Sequence, residues 1–311
     1  MASKEALLPH QRVLVGVALL GAVTLPLATY AVTLAVFGAA HVLAELRYVV
    51  RRFGARVGRR TAGAMLGGVL AIGCTRALMV AGVLPPAVGR LIELGFGVAL
   101  ALAVVPAASS FGRVTAVGSA CLVAVGLWVS AVHTLLLVAV LHNLTPVLFV
   151  AEGRAADRAP LRRALLLFVA APVLIASGMP YAMLHPLGVV HPELSPLTTG
   201  GLVTHMRAYL PSAWIGTTAA LHAFSACAYL QCMHYLYVVD VLPARVGGAG
   251  SARWKLGLVA LSVVSVVAFV GLGFATARNG YGALAAIHAW LELPILLLAL
   301  TSAKPQQPDE E

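Results

Sequence analysis

Charge is scarce in this chain: only 10% of its 311 residues are Asp, Glu, Lys or Arg, against roughly a quarter in an ordinary soluble domain. Beside 60% hydrophobic residues and a mean hydropathy of +0.94, that shortage leaves almost nothing that reads as a soluble domain. Cysteine is scarce too. Cys74, Cys121, Cys227 and Cys232 all lie inside apolar runs and no CxxC is present, so neither a thiolate metal site nor a disulfide framework is indicated. Buried small hydrophobes are the role that fits. No clear cleavage site follows the first apolar run, which Lys4, Glu5 and Arg12 precede; a retained membrane segment is expected rather than a removed signal peptide. No strong internal repeat is visible, which counts against an inverted-repeat transporter.

Long apolar runs take the place of what is missing. A bilayer-spanning helix needs about 20 mostly apolar residues, and the sequence holds enough such stretches to predict an all-α, polytopic transmembrane bundle of about eight to ten helices. The whole chain, 1–311, reads as a single integral membrane domain with a polar tail over about 303–311. Its net charge of +10 does not point to nucleic acid, because the Arg residues cluster beside apolar segments. There they act as topology signals and as contacts for anionic lipid. The basic connections 51–60, 152–163 and 244–255 are expected on the cytoplasmic side of the plasma or inner membrane. The loop His185–Pro211, with three His and several Pro and Gly, suits the opposite side.

Punctuation within the runs is sparse. Pro26 predicts a break between a first helix and a second from about Tyr30 to Val50. Helices are expected over Thr61–Val83, Leu91–Ser109, Ala164–Met183 and Ser212–Val241. A last pair, Leu256–Ala277 and Tyr281–Thr301, would turn at Arg278–Asn279–Gly280. The stretch Val114–Val150 must cross twice or re-enter if the basic loops share one side. Its only visible interruption is HNLTP, His142 to Pro146.

The informative residues are those that cost energy in a bilayer, where a central Asp, Lys or Arg is worth roughly 2.5–3.5 kcal/mol against insertion. His41, His133, His142, His222, His234 and His288 fall in apolar segments, with Glu45, Arg47, Arg76, Glu93 and Glu292. Arg47 lies near a helix end and can snorkel; Arg76 is deeper and needs a partner, for which Glu93 is the candidate. His41 with Glu45, and His288 with Glu292, are four apart, so each pair shares one helix face. Such a carboxylate can ligate a metal beside the His or accept from its second ring nitrogen. The plainer reading is a polar pair sealing a helix contact. His142 stands at an interruption, where unpaired carbonyls line a cavity or are buried, and His234 sits among Tyr229, Gln231, Tyr235 and Tyr237. Four His on four helices can build one metal centre. A stacked bis-His haem pattern is disfavoured, since His222 and His234 are about 120° off a common face. His185, His191 and His205, in the outer loop, read as solvated or interfacial.

The order of these histidines resembles, at a distance, the bacterial Brp/Blh-type β-carotene 15,15'-dioxygenases. These are multi-helix membrane proteins that hold a non-haem iron through histidines. The resemblance is carried by His41 and Glu45 in AVFGAAHVLAE, His142 in VAVLHNLTP, His234 in YLQCMHYLYV, and His288 with Glu292 in AAIHAWLELP. Departures are visible: Pro146 stands where the family has Asp, Glu replaces Asp at both acidic positions, and the family's paired His is reduced to His234. The resemblance implies a non-haem Fe(II) held by His41, His142, His234 and His288. It also implies oxygenase chemistry on a lipophilic small molecule, carotenoid cleavage included. Glu45 and Glu292 would orient ligands or bind metal, and Tyr235 or Asn143 would donate to reacting oxygen. The alternatives are a transporter or metal-ion permease using the same His and Glu, favoured by the broken helices, and a membrane assembly subunit without chemistry.

Overall fold

The computed structural model describes residues 8–152, 159–198, 201–245 and 251–301. Arg154, Arg158 and the tail from 303, on which part of the reading above falls, lie outside the described residues. Those described form helices and no strand. Among the described residues, seven helices are long and apolar enough to cross a membrane, the pattern of a multi-pass membrane protein. Faces that carry Leu122, Val125, Trp128 and Val129, or Val259, Val263, Val267 and Val270, are exposed. Large apolar side chains in such numbers on one face belong in lipid rather than water.

Helix α1 spans Pro9–Thr24 and α2 spans Pro26–Phe53. The break at Leu25 follows from Pro26, which disfavours helical backbone in the residue before it. Helices α3, Arg59–Val80, and α4, Pro86–Ala103, form a hairpin. Gly82 makes the turn at φ +72°, and Val83 N donates to Leu78 O at 3.0 Å. This left-handed glycine is the usual stop for a helix. Helix α5 spans Ser110–His142 and α6 spans Thr145–Glu152. Beyond α7, Ala159–Leu165, a π-helical turn leads into α8, Ala171–Ala176. Short helices α9, Met179–Leu184, and α10, Leu202–Met206, lie in the outer connection. Helix α11 spans Thr218–Leu236 and passes through a π-helical turn, Tyr237–Val241, into α12, Leu242–Arg245. Helices α13, Ala252–Gly271, and α14, Phe274–Thr301, complete the chain.

Two expectations change. The turn between α13 and α14 is made by Gly273, at φ +78°, so Arg278–Asn279–Gly280 lie inside α14 and not at a hairpin. The left-handed residue decides the turn here, whereas Asn-Gly continues a helix already under way. The second change lies within α5. Ser130, at φ −168° and ψ 106°, interrupts α5, and its Oγ lies 2.7 Å from His133 Nδ1 and accepts from His133 N at 3.4 Å. A Cβ at Gly126 would stand 2.5 Å from Thr134 Oγ1. Residues eight apart in a straight helix are about 12 Å distant along the axis, so the chain folds back here. Ser130 thus supplies a reversal that the apolar run Val114–Val150 does not display in its composition.

The chain packs as two compact units, one joining residues up to Tyr48 to Leu136–Gly282, the other joining Val49–Leu135 to the residues from Ala283 onward. In the first, Leu27, Tyr30, Ala31 and Leu34 of α2 meet Phe224 of α11 and Phe274 of α14. Leu202, Met206 and Leu210 of the outer connection enter this core, and they carry His205 in with them. Its ring lies 5.2 Å from that of Phe274 and is 1% exposed, so His205 is not the solvated residue its loop suggested. His185 and His191 are exposed. Arg47 stacks its guanidinium 4.1 Å from the Trp254 ring centre, a cation–π contact in place of simple snorkelling. In the second unit Arg76 pairs with Glu93 as expected: Nη2 donates to Oε1 at 2.9 Å and Nε stands 2.6 Å from Oε2.

Sidedness can be tested directly. Single cysteines at Ala55 and Ala252, in a background without the four native ones, should resist an impermeant thiol reagent applied from the periplasmic side of intact cells. A cysteine at Leu187 should react. The reverse pattern would overturn the orientation read from the basic loops.

Candidate metal centre

Three of the four expected ligands come together within the first unit. His41 lies midway along α2, His142 ends α5 and His234 lies late in α11. One ring nitrogen from each lies within 4.8 Å of the others. The His234 ring is centred 5.3 Å from that of His41 and 4.5 Å from that of His142. His41 and His234 are 0% exposed.

Local structure sets each ring. His41 Nδ1 stands 3.1 Å from Phe37 O, the carbonyl one turn earlier. With the proton on Nδ1, that contact is a hydrogen bond and the lone pair falls on Nε2, the nitrogen that ligates in such tautomers. Below His142 the helix stops, and Thr145 Oγ1 donates to its carbonyl at 2.8 Å. Asn143 Nδ2 donates to Ala139 O at 2.8 Å, and Asn143 shares a hydrogen bond with Tyr209. This amide therefore ties the helix end to the outer connection.

His234 is the most telling of the three. Both of its ring nitrogens are buried without a hydrogen-bond partner among the described residues. Its Nε2 lies 3.5 Å from Glu45 Oε2. A buried imidazole that donates and accepts nothing loses its hydration without compensation, about 1–3 kcal/mol. A divalent cation among His41, His142 and His234 would fill that deficit, and neutral imidazoles are suitable donors to iron, copper or zinc. Glu45, 1% exposed, would offer a carboxylate oxygen beside them. The residues fit a metal.

Around the rings lies a polar shell. Tyr235 stacks on His41 at 4.1 Å and shares a hydrogen bond with Tyr281, whose ring is centred 6.4 Å from that of His41. Gln231 Nε2 donates to Tyr30 O at 3.1 Å and to Thr33 Oγ1 at 2.8 Å, while its Oε1 accepts from Tyr209 Oη at 2.7 Å. Burial holds the Tyr209 hydroxyl well above its ordinary pKa, so it stays a donor. These bonds lock α2, α11 and the outer connection to one another. The π-helical turn at Tyr237–Val241 begins three residues after His234. Such bulges are frequent at functional sites.

His288 and Glu292 lie on the part of α14 that belongs to the second unit, 2% and 1% exposed. His288 Nδ1 stands 3.4 Å from Leu284 O, the same relation to the preceding turn that His41 has. His222 packs against Tyr181, with ring centres 4.7 Å apart. It precedes His234 by about 18 Å along α11, too far to share a metal. His133 is exposed and engages Ser130.

Tyr281 was not singled out from the sequence. A turn at Arg278–Asn279–Gly280 puts it at the first residue of a helix, whereas it lies within α14, which begins at Phe274. Trp290, between His288 and Glu292, was missed as a plain apolar residue.

No family model, curated protein or solved structure matches this chain.

Proposed function

We propose that this protein is a non-haem iron oxygenase of the plasma or inner membrane acting on a lipophilic substrate, with carotenoid cleavage the activity its motif order favours. The observation that carries the reading is the convergence of His41, His142 and His234, with both nitrogens of His234 buried and without hydrogen-bond partners among the described residues. His288 is the proposed fourth ligand. Its Nδ1 contact to Leu284 O repeats the one that His41 makes to Phe37 O. An iron held by these imidazoles would supply the activation of dioxygen.

The chain's own residues do the rest. The Nδ1 contacts to Phe37 O and Leu284 O hold two rings in the tautomer that ligates through Nε2. Glu45 sets a carboxylate oxygen 3.5 Å from His234 Nε2, and the Tyr235–Tyr281 pair closes the wall behind His41. The apolar helices admit a lipid-borne substrate and exclude water.

A metal-ion permease would use the same side chains. Reconstituted in vesicles with a polyene dissolved in the bilayer, the protein should consume oxygen and substrate and pass no Fe(II) or Zn(II) across the membrane. Metal flux without turnover would favour the permease.

A further inference from the structure

Arg76 and Arg278 both lie in apolar helices, and only the first has a carboxylate. Glu93 Oε1 accepts from Arg76 Nη2 at 2.9 Å and from Trp290 Nε1 at 3.0 Å. Arg278 stands in the second turn of α14, inside the apolar span that begins at Phe274. No carboxylate among the described residues pairs with it. Its guanidinium donates to the Tyr30 hydroxyl, while its Nη1 is buried with no hydrogen-bond partner among the described residues. A guanidinium carries five N–H donors and no acceptor. A buried nitrogen left unmatched within a span is costly, and it marks a place where a ligand oxygen belongs.

Tyr30 supplies a second donor. Its oxygen accepts from Arg278, which leaves its own O–H to donate. The residue is 2% exposed, and the rings of Phe224, Phe274, His205 and Tyr209 are centred 5.5, 5.9, 6.1 and 6.1 Å from its own. That packing fixes the hydroxyl beside the guanidinium. Two adjacent donors, one of them on a planar fork, match the two oxygens of a carboxylate. All of these residues belong to the first unit.

The site also has a direction. Tyr30 and His41 are eleven residues apart on α2, about 20° from a common face and about 16 Å along the axis. Between them Tyr281, one turn on from Arg278, packs on Gly38, where a Cβ would stand 3.2 Å from Tyr281 Cε2. Tyr281 shares a hydrogen bond with Tyr235, which stacks on His41. Arg278 and Tyr30 therefore lie at the end of α2 nearest the outer connection, with the histidines deeper along it. A molecule with its head at Arg278 and an apolar chain laid along α2 would bring that chain to the histidines.

We propose that Arg278 and Tyr30 bind the carboxylate of a long-chain unsaturated acid and orient its chain toward His41, His142 and His234. Naming that acid as the substrate rests on the oxygenase reading; its binding does not. A phospholipid phosphate offers similar oxygens, and the experiment separates the two. Full-length protein in phosphatidylcholine nanodiscs is titrated with cis-parinaric acid, a fluorescent conjugated carboxylate, and with its methyl ester. Binding is read as energy transfer from the protein's tryptophans. The wild type should bind the acid about 10-fold or more tighter than the ester. Arg278→Met should remove that advantage and leave ester binding unchanged. Tyr30→Phe, which keeps the ring, should reduce the advantage by about 3-fold or more.

Equal binding of acid and ester by the wild type would overturn the proposal, as would an acid preference undiminished in Arg278→Met. Displacement of the acid when phosphatidylglycerol is added to the discs would assign the site to a membrane lipid and overturn the carboxylate. An acid preference that depends on Arg278, in protein that takes up no iron, would uphold the site while the oxygenase reading failed. Should Arg278→Met fail to fold, Arg278→Gln and Tyr30→Phe carry the comparison.

Discussion

Replacing His234 with Ala is expected to strip the purified protein of its iron. His234 touches His41 and His142 through its ring and Glu45 through Nε2, so its loss removes a donor from the middle of the cluster. Outer-shell substitutions at metal sites weaken binding roughly 10–100-fold; loss of this ligand should exceed about 100-fold, and iron should not survive purification. Folding should persist. The empty ring site removes the uncompensated burial of two nitrogens, and α11 stays tied through Gln231 to Tyr30, Thr33 and Tyr209. Gln231→Leu should behave oppositely. It leaves the Tyr209 O–H without its acceptor in an apolar setting and should lower stability by about 1–3 kcal/mol, read as a fall in the thermal midpoint in detergent, with metal content less affected. Equal iron in His234→Ala and wild type would remove the centre of the ligand set.

The second large effect concerns turnover. In a carotenoid-producing host, expression of the wild type should bleach a coloured polyene and generate aldehydes. His142→Ala should leave the colour intact at equal expression. His142 is the informative position because it ends α5, where Thr145 caps its carbonyl and Asn143 holds the preceding turn. Those bonds use backbone and neighbouring side chains, so truncating the imidazole leaves the helix end in place. Product from His142→Ala at the wild-type rate would make that ring structural. A colour-stable wild type carrying full iron would reject carotenoid cleavage and leave another lipophilic substrate for the same centre.

Much of the fold was legible because lipid imposes a simple pattern. Pro26 breaks the first run where expected, and the interruption at His142 to Pro146 is real. The Ser130 reversal was not legible from hydropathy, since a single serine in extended backbone leaves an apolar run unbroken. A signal was present in its spacing: Ser130 followed three residues later by His133 places a capping hydroxyl over a new helix start. The turn at Gly273 was missed because Arg278–Asn279–Gly280 is the more polar stretch, yet only a left-handed backbone ends α13.

The site divides along similar lines. His41, His142 and His234 were identifiable as ionisable groups in apolar helices, and the structure brings them together. The Arg76–Glu93 pair followed from the same cost argument, because a deep guanidinium needs a carboxylate. Trp290 and Tyr281 carry no charge and raise no such alarm. Their roles depend on which helix face they occupy, and that was fixed only once α14 was known to begin at Phe274. His205 was misjudged because a Pro- and Gly-rich connection reads as solvated, whereas Leu202, Met206 and Leu210 draw it into the core.

The account stands most directly on the metal content of the wild-type protein. Elemental analysis of full-length protein, purified in detergent without added metal or chelator, should find about one iron atom per chain. Folded protein that contains no transition metal, and takes up none when Fe(II) is supplied under anaerobic conditions, would contradict it.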